Sequence, residues 1–304
     1  MIDKRELMVT IRCLAYNHEP YIRQCLDGFV MQKTNFRFEA VVHDDASTDG
    51  TAAIIKEYAE KFPNIIKPII ETENQYSKRD GSLTRIMNSH MHGKYIAICE
   101  GDDYWIDPLK LQKQVDFLES NPNFGLVCSD IDLYNHNMNK FQYNFFKRKK
   151  IWNIKYTFND FVINSWFLAP CTWLYRKRFV TDEISNNKFI IGDLPLLLDI
   201  SGQSEVKFLK DSMAVYRVLS SSASHGLNFS QQVRYRKGVL RIQSFYMEKY
   251  NKQNLKRKII CRWLLVIAKI AYNYHEYRLM FMYLYDFLRY YLYLKKVDLI
   301  SVSR

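Results

Sequence analysis

The stretch that most constrains the fold runs from Lys94 to Trp105 and reads Lys-Tyr-Ile-Ala-Ile-Cys-Glu-Gly-Asp-Asp-Tyr-Trp. Its first half, residues 95–99, is short, apolar and β-rich, which predicts a strand that is buried on both faces. Glu100, Asp102 and Asp103 follow, and such a cluster repels itself unless a cation or hydrogen-bond donors hold it. Mg²⁺ and Mn²⁺ take oxygen ligands, typically one or two carboxylates plus the oxygens of a substrate phosphate. The stretch predicts a platform for a metal and a diphosphate; a solvated acidic turn before a helix is the alternative.

Strand-like and helix-like segments alternate through the first half of the chain. The predicted strands are residues 8–14, 38–43, 65–70, 95–99 and 124–129, and the predicted helices are residues 21–32, a segment from residue 52 and a segment after residue 108. Residues 71–90 are polar and are predicted to be irregular. The alternation predicts an α/β fold, a mainly parallel sheet that is flanked by helices. Ligands of such sheets bind at the carboxyl ends of the strands, where Asp44 and Asp45 would meet Asp102 and Asp103.

These acidic residues indicate a way of binding a nucleotide. Neither glycine-rich phosphate pattern, GxGxxG or GxxxxGK[ST], occurs in the chain. Carboxylates do not hold phosphate directly, but they accept hydrogen bonds from a base N–H or a ribose hydroxyl, and they hold metals that bridge to phosphates. The pattern predicts a nucleotide that is bound through its base and ribose at one acidic loop and through a metal at the other.

Three motifs resemble those of a known family. They are residues 14–17 (Leu-Ala-Tyr-Asn), 42–51 (Val-His-Asp-Asp-Ala-Ser-Thr-Asp-Gly-Thr) and 101–103 (Gly-Asp-Asp). In this order and spacing they are similar to the motifs of GT-A fold glycosyltransferases of family 2, and the resemblance covers residues 7–225. It implies a Rossmann-like GT-A sheet and an inverting enzyme that uses Mn²⁺ or Mg²⁺. It also implies transfer of a sugar from a nucleotide-diphospho sugar, a UDP-sugar, to a hydroxyl of a glycan or a lipid-linked saccharide in surface polysaccharide synthesis.

The resemblance assigns roles in donor binding to five residues. Asp45 would accept a hydrogen bond from the base, from N3–H of uracil. Asp44 and Asn17 would support the donor pocket. Asp103 would ligate the metal and touch the ribose, with Asp102 beside it at the metal.

Further roles follow from the same resemblance. The polar segment 75–88 would face the diphosphate, and Arg85 is selected among its three basic residues, Lys78, Arg79 and Arg85. Arg217, in a Tyr-Arg pair before a Ser-rich loop, would meet the diphosphate or pair with a core acid. His225 would complete the metal shell, because imidazole suits Mn²⁺ better than Mg²⁺; a loop histidine without a ligand is the alternative. Glu100 stands where the family often has the first acid of the metal element, and its role is open.

One carboxylate, Asp193, lies within the apolar run of residues 190–195. A buried lone carboxylate costs stability unless it is paired or used. The resemblance assigns an acid in this neighbourhood, before a helix, the role of general base, which would take the proton of an acceptor hydroxyl. A helix N-cap is the alternative role.

The last quarter of the chain differs in charge from the rest. Residues 230–304 hold 16 Lys and Arg against 4 Asp and Glu, whereas residues 1–229 hold 28 of each sign. The segments 255–271 and 277–294 are apolar and aromatic at helical spacing, which predicts a C-terminal helical hairpin. Charged residues interrupt both segments, so neither reads as a membrane span. Two domains are predicted, residues 1–229 and residues 230–304. The hairpin either lies at a membrane surface or packs on the catalytic domain.

The remaining features concern location and competing functions. The six cysteines are scattered, which indicates reduced thiols in a cytosol, and the N-terminus lacks the apolar run of a signal peptide. The expected location is cytoplasmic, with possible peripheral contact on the inner face of the cell membrane. A nucleotidyltransferase-like enzyme and a basic, non-catalytic membrane- or RNA-binding module are the competing readings. No nucleic acid partner is expected, because the positive charge avoids the residues that carry the motifs.

Overall fold

The computed structural model describes residues 5–150, 156–165, 168–181, 189–219 and 228–302, and it describes side chains up to residue 292. The described residues form two compact units. The first contains those within residues 1–156, 168–187 and 203–220, and the second contains those within residues 157–167, 188–202 and 221–304. The second unit thus holds two segments from earlier in the chain besides the C-terminal region.

The first unit is built on one mixed sheet. Its strands are β1 (Leu7–Ala15), β2 (Arg37–Asp44), β3 (Ile66–Ile70), β4 (Tyr95–Ile98), β5 (Tyr104–Trp105), β6 (Phe124–Asn135), β7 (Lys140–Gln142), β8 (Leu174–Arg176) and β9 (Glu205–Val218). The order is β3-β2-β1-β4-β8-β6-β9-β5, with β7 beside β6. The four strands from β3 to β4 pair in parallel, as do β6 and β9. By contrast, β5, β7 and β8 pair antiparallel with their neighbours.

Helices cover this sheet and connect its strands. They are α1 (Glu19–Val30), α2 (Thr51–Lys61), α3 (Gln75–Lys78), α4 (Ser82–His90), α5 (Lys110–Ser120) and α6 (Phe145–Arg148). Apolar residues of β1, β2 and β4 form the core with the inward faces of α1, α2 and α5. Trp105 is 2% exposed and packs edge-on against Phe29 at 5.0 Å between ring centroids. Gly28 permits this approach, because a Cβ there would lie 2.9 Å from the Trp105 backbone nitrogen.

The register of the parallel strands brings three loops to one edge of the sheet. Ala15 of β1 lies opposite Asp44 of β2, and Arg12 of β1 lies opposite Ile98 of β4. Because these strands run in the same direction, the loops that follow them emerge side by side. The loops after β1, β2 and β4 contain all three sequence motifs.

The second unit is helical. Its helices are α7 (Phe158–Asn164), α8 (Asp193–Gln203), α9 (Phe229–Lys249), α10 (Lys256–Asn273) and α11 (Tyr277–Val302). Helix α10 packs on α7, α9 and α11. Asp199 of α8 is fully buried and forms an ion pair with Lys249 of α9 at 2.7 Å. None of the helices in the described residues combines the length and the apolar character needed to cross a bilayer.

The structure confirms the first four predicted strands to within one residue at each end, whereas β6 continues six residues beyond the predicted segment 124–129. Helices α10 and α11 form the predicted pair of C-terminal helices. The prediction that residues 71–90 are irregular was wrong, because α3 and α4 lie within them. Helix α4 has only nine residues, and Met87 is its one buried residue. A short helix with so small an apolar face gives little periodic signal in the sequence.

Candidate active site

The loops after β1 and β2 are tied together through Asn17. Its side-chain oxygen accepts a hydrogen bond from the Thr48 backbone N–H at 2.8 Å, and its own N–H donates to the Ser47 hydroxyl at 2.9 Å. Its φ of 54° is in the left-handed region, which asparagine adopts more readily than most residues. Asn17 therefore fixes the geometry of the predicted donor pocket through these two bonds.

Asp45 orients the segment that follows β3. One carboxylate oxygen accepts from the Gln75 N–H at 2.7 Å and the other from the Tyr76 N–H at 3.0 Å. The Asn74 amide also donates to the Asp45 carbonyl at 3.0 Å. Asp45 is 4% exposed, and each carboxylate oxygen keeps a second acceptor site. The carboxylate is thus rigidly placed and still able to accept a hydrogen bond from a base.

Asp44 has one carboxylate oxygen that is bonded and one that is not. The first accepts from the Ser47 N–H at 3.1 Å, while the second is buried and has no hydrogen-bond partner among the described residues. The ring of His43 is also buried, and its Nε2 lies 3.3 Å from a Glu71 oxygen. Burial lowers the pKa of His43, against the opposing effect of the nearby carboxylates of Asp45 and Glu71. Because an unsatisfied buried oxygen is costly, a water or a ligand donor at this oxygen of Asp44 would stabilise the loop.

The acidic turn after β4 begins with a structural residue, Glu100. One of its oxygens pairs with Arg12 of β1 at 2.9 Å, and the other accepts from the Leu14 N–H at 3.0 Å. The Glu100 carbonyl also accepts from the N–H of Asp103 at 3.0 Å. These bonds anchor the acidic turn to β1.

Asp102 and Asp103 occupy different environments. Asp103 is 4% exposed, accepts from the Arg217 backbone N–H at 2.8 Å and is hydrogen-bonded to the thiol of Cys171. Burial, and then the charge of Asp102, raise the pKa of Asp103. Asp102 is half-buried, and its carboxylate has no hydrogen-bond or ion-pair partner among the described residues. The turn therefore presents one anchored and one free carboxylate.

Arg217 holds this turn in place from β9. Its guanidinium donates to the Asp102 carbonyl at 2.5 Å and to the side chain of Gln24. It also lies 4.4 Å from the ring centroid of Tyr104 and 5.3 Å from that of Tyr21. The residue is 6% exposed. Within the described residues it is the backbone N–H of Arg217 that bonds a core acid, Asp103. A pairing of the guanidinium with such an acid and its contact with a diphosphate stay predictions.

Three more predicted site residues are Arg85, Asp193 and His225. Arg85 is exposed on α4 and donates to the Asp80 carbonyl at 2.8 Å. Asp193 is half-buried at the start of α8 in the second unit, where its carboxylate accepts from the Leu194 N–H at 2.8 Å. His225 lies outside the described residues. Their roles at the diphosphate, as the base and at the metal stay predictions.

The acidic turn can offer a divalent cation only part of a ligand set. No group of three or more His, Cys, Asp or Glu side chains within the described ranges could hold a metal ion alone. Mg²⁺ is usually bound through one or two carboxylates plus substrate phosphates. The free carboxylate of Asp102 beside Asp103 fits that mode, in which the nucleotide supplies the remaining ligands.

Sequence reasoning missed the residues that hold the acidic turn. These are Arg12, Gln24 and Cys171, which contact Glu100, Arg217 and Asp103. The sequence contains a feature that could have identified Arg12, because it is the one charged residue within the apolar run of β1. Gln24 and Cys171 had none, because their partners are distant in the sequence.

The sequence is similar to those of known proteins. The uncharacterized protein Rv1520 of Mycobacterium tuberculosis is 33% identical over 210 residues, which cover 69% of this chain and 58% of that protein. The chain thus spans 58% of the length of this relative. The putative teichuronic acid biosynthesis glycosyltransferase TuaG of Bacillus subtilis is 31% identical over 113 residues, which cover 36% of this chain and 42% of that protein.

Two solved structures share the fold. TarS of S. aureus in complex with UDP-GlcNAc matches with a TM-score of 0.64 and 16% identity, over 93% of this chain and 81% of that chain. The mannosyltransferase PcManGT of Pyrobaculum calidifontis in complex with GDP-Man and Mn²⁺ matches with a TM-score of 0.53 and 18% identity, over 96% of this chain and 89% of that chain. These matches confirm the predicted GT-A fold.

The family described as Glycosyl transferase family 2 matches residues 13–182, more than half of the chain and all three motifs. With the sheet, the two acidic loops and the anchored turn in place, the chain belongs to glycosyl transferase family 2.

Proposed function

We propose that this protein is a metal-dependent, inverting glycosyltransferase of surface polysaccharide synthesis. It moves a sugar from a nucleotide-diphospho sugar, a UDP-sugar, to a hydroxyl of a glycan or a lipid-linked saccharide. The observation that carries the proposal is the meeting of two acidic loops at one sheet edge, fixed by the pairing of β1 with both β2 and β4. TuaG, whose printed name refers to teichuronic acid biosynthesis, supports a polysaccharide product.

The donor is bound through the two loops. Asp45 accepts from the base, and the unsatisfied buried oxygen of Asp44 receives a further donor from the nucleoside or from an ordered water. UDP-GlcNAc in TarS and GDP-Man in the mannosyltransferase support a nucleotide sugar. In UDP, uracil N3–H would be the donor to the Asp45 carboxylate.

Asp102 and Asp103 would hold Mn²⁺ or Mg²⁺, and His225 would add a nitrogen ligand. The Mn²⁺ named with the mannosyltransferase supports this assignment. The ion would supply positive charge against the departing diphosphate, so the leaving group needs no proton. Arg217 keeps the turn in its shape by holding the Asp102 carbonyl, and Arg85 contributes charge toward the diphosphate.

Asp193 acts as the general base. It takes the proton from the acceptor hydroxyl while that oxygen attacks the anomeric carbon on the face opposite the nucleotide. The bond to the diphosphate breaks as the new glycosidic bond forms, which inverts the configuration of that carbon. The Asp193 carboxylate lies at the first residue of α8, where it accepts from the Leu194 N–H and where the helix N-terminus carries positive partial charge.

The second unit contacts the anionic inner face of the membrane through α11. Five exposed apolar or aromatic residues at spacings of three or four lie along one face of this helix: Tyr277, Phe281, Tyr285, Leu288 and Leu292. Arg278 and Arg289 flank this stripe at a spacing of three helical turns. A helix that joins an apolar stripe to basic flanks suits an anionic membrane surface.

Binding and turnover test the enzyme assignment separately. A panel of UDP-, GDP- and dTDP-sugars with Mn²⁺ is scored by thermal shift and by donor hydrolysis, since a ligand of the folded state raises the melting temperature. We expect a UDP-sugar to bind. Asp103→Ala should abolish binding and turnover, whereas Asp193→Asn should keep binding and lose transfer. Glu60→Ala, an exposed carboxylate of α2, is the control. Full transfer by the Asp193 variant would refute the base assignment.

Membrane contact is tested with vesicles. The protein should sediment with phosphatidylglycerol vesicles at low salt and remain in solution with phosphatidylcholine vesicles. Phe281→Ser with Leu288→Ser should remove this binding, and Leu109→Ser, an exposed leucine of the first unit, should not. Equal sedimentation of all three proteins would contradict a role for α11.

A further inference from the structure

A row of aromatic rings extends from the acidic turn along the β6–β7 hairpin. We call Tyr21, Tyr134, His136, Phe141 and Tyr143 the aromatic ladder. The centroids of Tyr134 and Phe141 are 4.5 Å apart, and those of Phe141 and Tyr143 are 5.6 Å apart with ring planes within 7° of parallel. Phe141 is 39% exposed and Tyr143 is 53% exposed. Neither outer ring is therefore part of a core.

The inner end of the ladder adjoins the candidate active site. Tyr134 lies opposite Arg217 in the pairing of β6 with β9, and the Tyr21 ring lies 5.3 Å from the Arg217 guanidinium. The His136 ring contacts both tyrosines edge-on, at 5.8 Å from Tyr21 and 6.0 Å from Tyr134. Because Arg217 donates to the Asp102 carbonyl, the ladder begins at the turn that would hold the donor diphosphate.

The ladder is preformed and set in polar surroundings. The Tyr134 hydroxyl donates to the Asn139 side chain at 2.8 Å, and β7 pairs with β6, so the hairpin holds its rings in place. Asn139 is exposed beside the rings; Lys140 and Gln142 are exposed too, but the alternation of side chains along β7 directs these two to the face opposite Phe141. Flat rings that carry phenol hydroxyls and adjoin an exposed amide differ from the continuous aliphatic surface that a lipid chain requires.

We propose that the aromatic ladder binds the acceptor as a glycan chain, whose pyranose rings stack on Phe141 and Tyr143. The C–H groups on one face of a pyranose carry partial positive charge, which the negative faces of aromatic rings attract. The Asn139 side chain and the Tyr143 hydroxyl receive the sugar hydroxyls. The ladder leads a bound glycan toward the acidic turn, so it would present its terminal hydroxyl to the donor. This inference rests on the proposed glycosyltransferase function and assigns that enzyme a saccharide acceptor.

The test uses the full chain with UDP and Mn²⁺ on a microarray of pyranose oligosaccharides of four to eight units, followed by calorimetry with the best-bound oligosaccharide. We expect binding to at least one glycan class and at least a tenfold weaker affinity for Phe141→Ala with Tyr143→Ala. Met138→Ala is the matched control, because Met138 is 73% exposed in the same hairpin, and its affinity should stay within twofold. Thermal melting confirms that each variant folds.

A second substitution separates ring stacking from plain hydrophobic contact. Phe141→Leu keeps an apolar side chain of similar size and removes the aromatic face, so it should lose most of the affinity. Wild-type binding by this variant, equal binding by the double alanine variant, or no bound glycan would each overturn the proposal. Hydrolysis of the nucleotide sugar, measured alongside, shows independently whether the proposed function holds when glycan binding fails.

Discussion

Lys110 provides a quantitative test of how the region behind the acidic turn is packed. It is fully buried at the start of α5, where its ammonium donates to the Gln114 side chain at 2.8 Å and lies 4.0 Å from the Trp105 ring centroid. Burial lowers the pKa of Lys110 from 10.5 to about 7, although nearby thiols and Asp107 act in the opposite direction. We expect Lys110→Met to stabilise the protein at neutral pH.

The size of the expected stabilisation by Lys110→Met follows from proton linkage. Between pH 7 and 10.5 the unfolded chain holds a proton on Lys110 that the folded protein tends to lose, so the free energy of unfolding rises with pH across this window. The burial cost is fully present below about pH 7 and is gone above pH 10.5. At about 1.4 kcal/mol per pKa unit, the burial cost amounts to about 4 kcal/mol at pH 7, where about half of the folded protein has already lost the proton. The variant also loses the hydrogen bond between Lys110 and Gln114, and this loss destabilises it by about 1–3 kcal/mol. The net gain at pH 7 is therefore about 1–3 kcal/mol.

Urea unfolding of the wild type and the variant at pH 7, 8 and 9 measures this difference. The advantage of Lys110→Met should shrink by about 1.4 kcal/mol per pH unit and approach zero near pH 9. Lys113→Met on the same helix is the control, because hydrogen bonding to Asp107 raises the pKa of that exposed lysine. A stability difference for Lys110→Met that does not change with pH would refute the lowered pKa.

Three further outcomes follow from the site. Gly28→Ala should lower the free energy of unfolding by about 1–3 kcal/mol, measured in urea, because the new Cβ would meet the Trp105 backbone at 2.9 Å. Arg12→Met should weaken UDP binding in calorimetry and destabilise the protein by about 1 kcal/mol, because its partner Glu100 is partly exposed and loses its counter-charge. Arg217→Lys keeps the charge but cannot hold the Asp102 carbonyl and Gln24 together, so UDP affinity should fall about tenfold. Unchanged affinity in the Arg217 variant would show that the turn keeps its shape without the guanidinium.

The sequence predicted the elements that have strong local patterns. The buried strand 95–98 and the acidic residues after it were readable, because apolar runs and clustered charges are short-range features. The meeting of the Asp44 and Asp102 loops followed from the rule for parallel strands. The structure added what depends on distant contacts, such as the two backbone N–H groups that anchor Asp45 and the strand register that sets Arg217 beside Asp103. No local pattern encodes these contacts.

The burial of all six cysteines has a practical consequence. Burial raises the pKa of Cys99 in the first unit to about 11 and also raises the pKa of Cys261 in the second, so neither forms a thiolate readily in the folded protein. Alkylating reagents attack the thiolate, and they will label these positions when the surrounding unit opens. Each unit therefore contains a cysteine whose alkylation rate reports on the unfolding of that unit. Mass spectrometry of the order in which Cys99 and Cys261 are labelled would tell whether the sheet and the helices open together or one after the other.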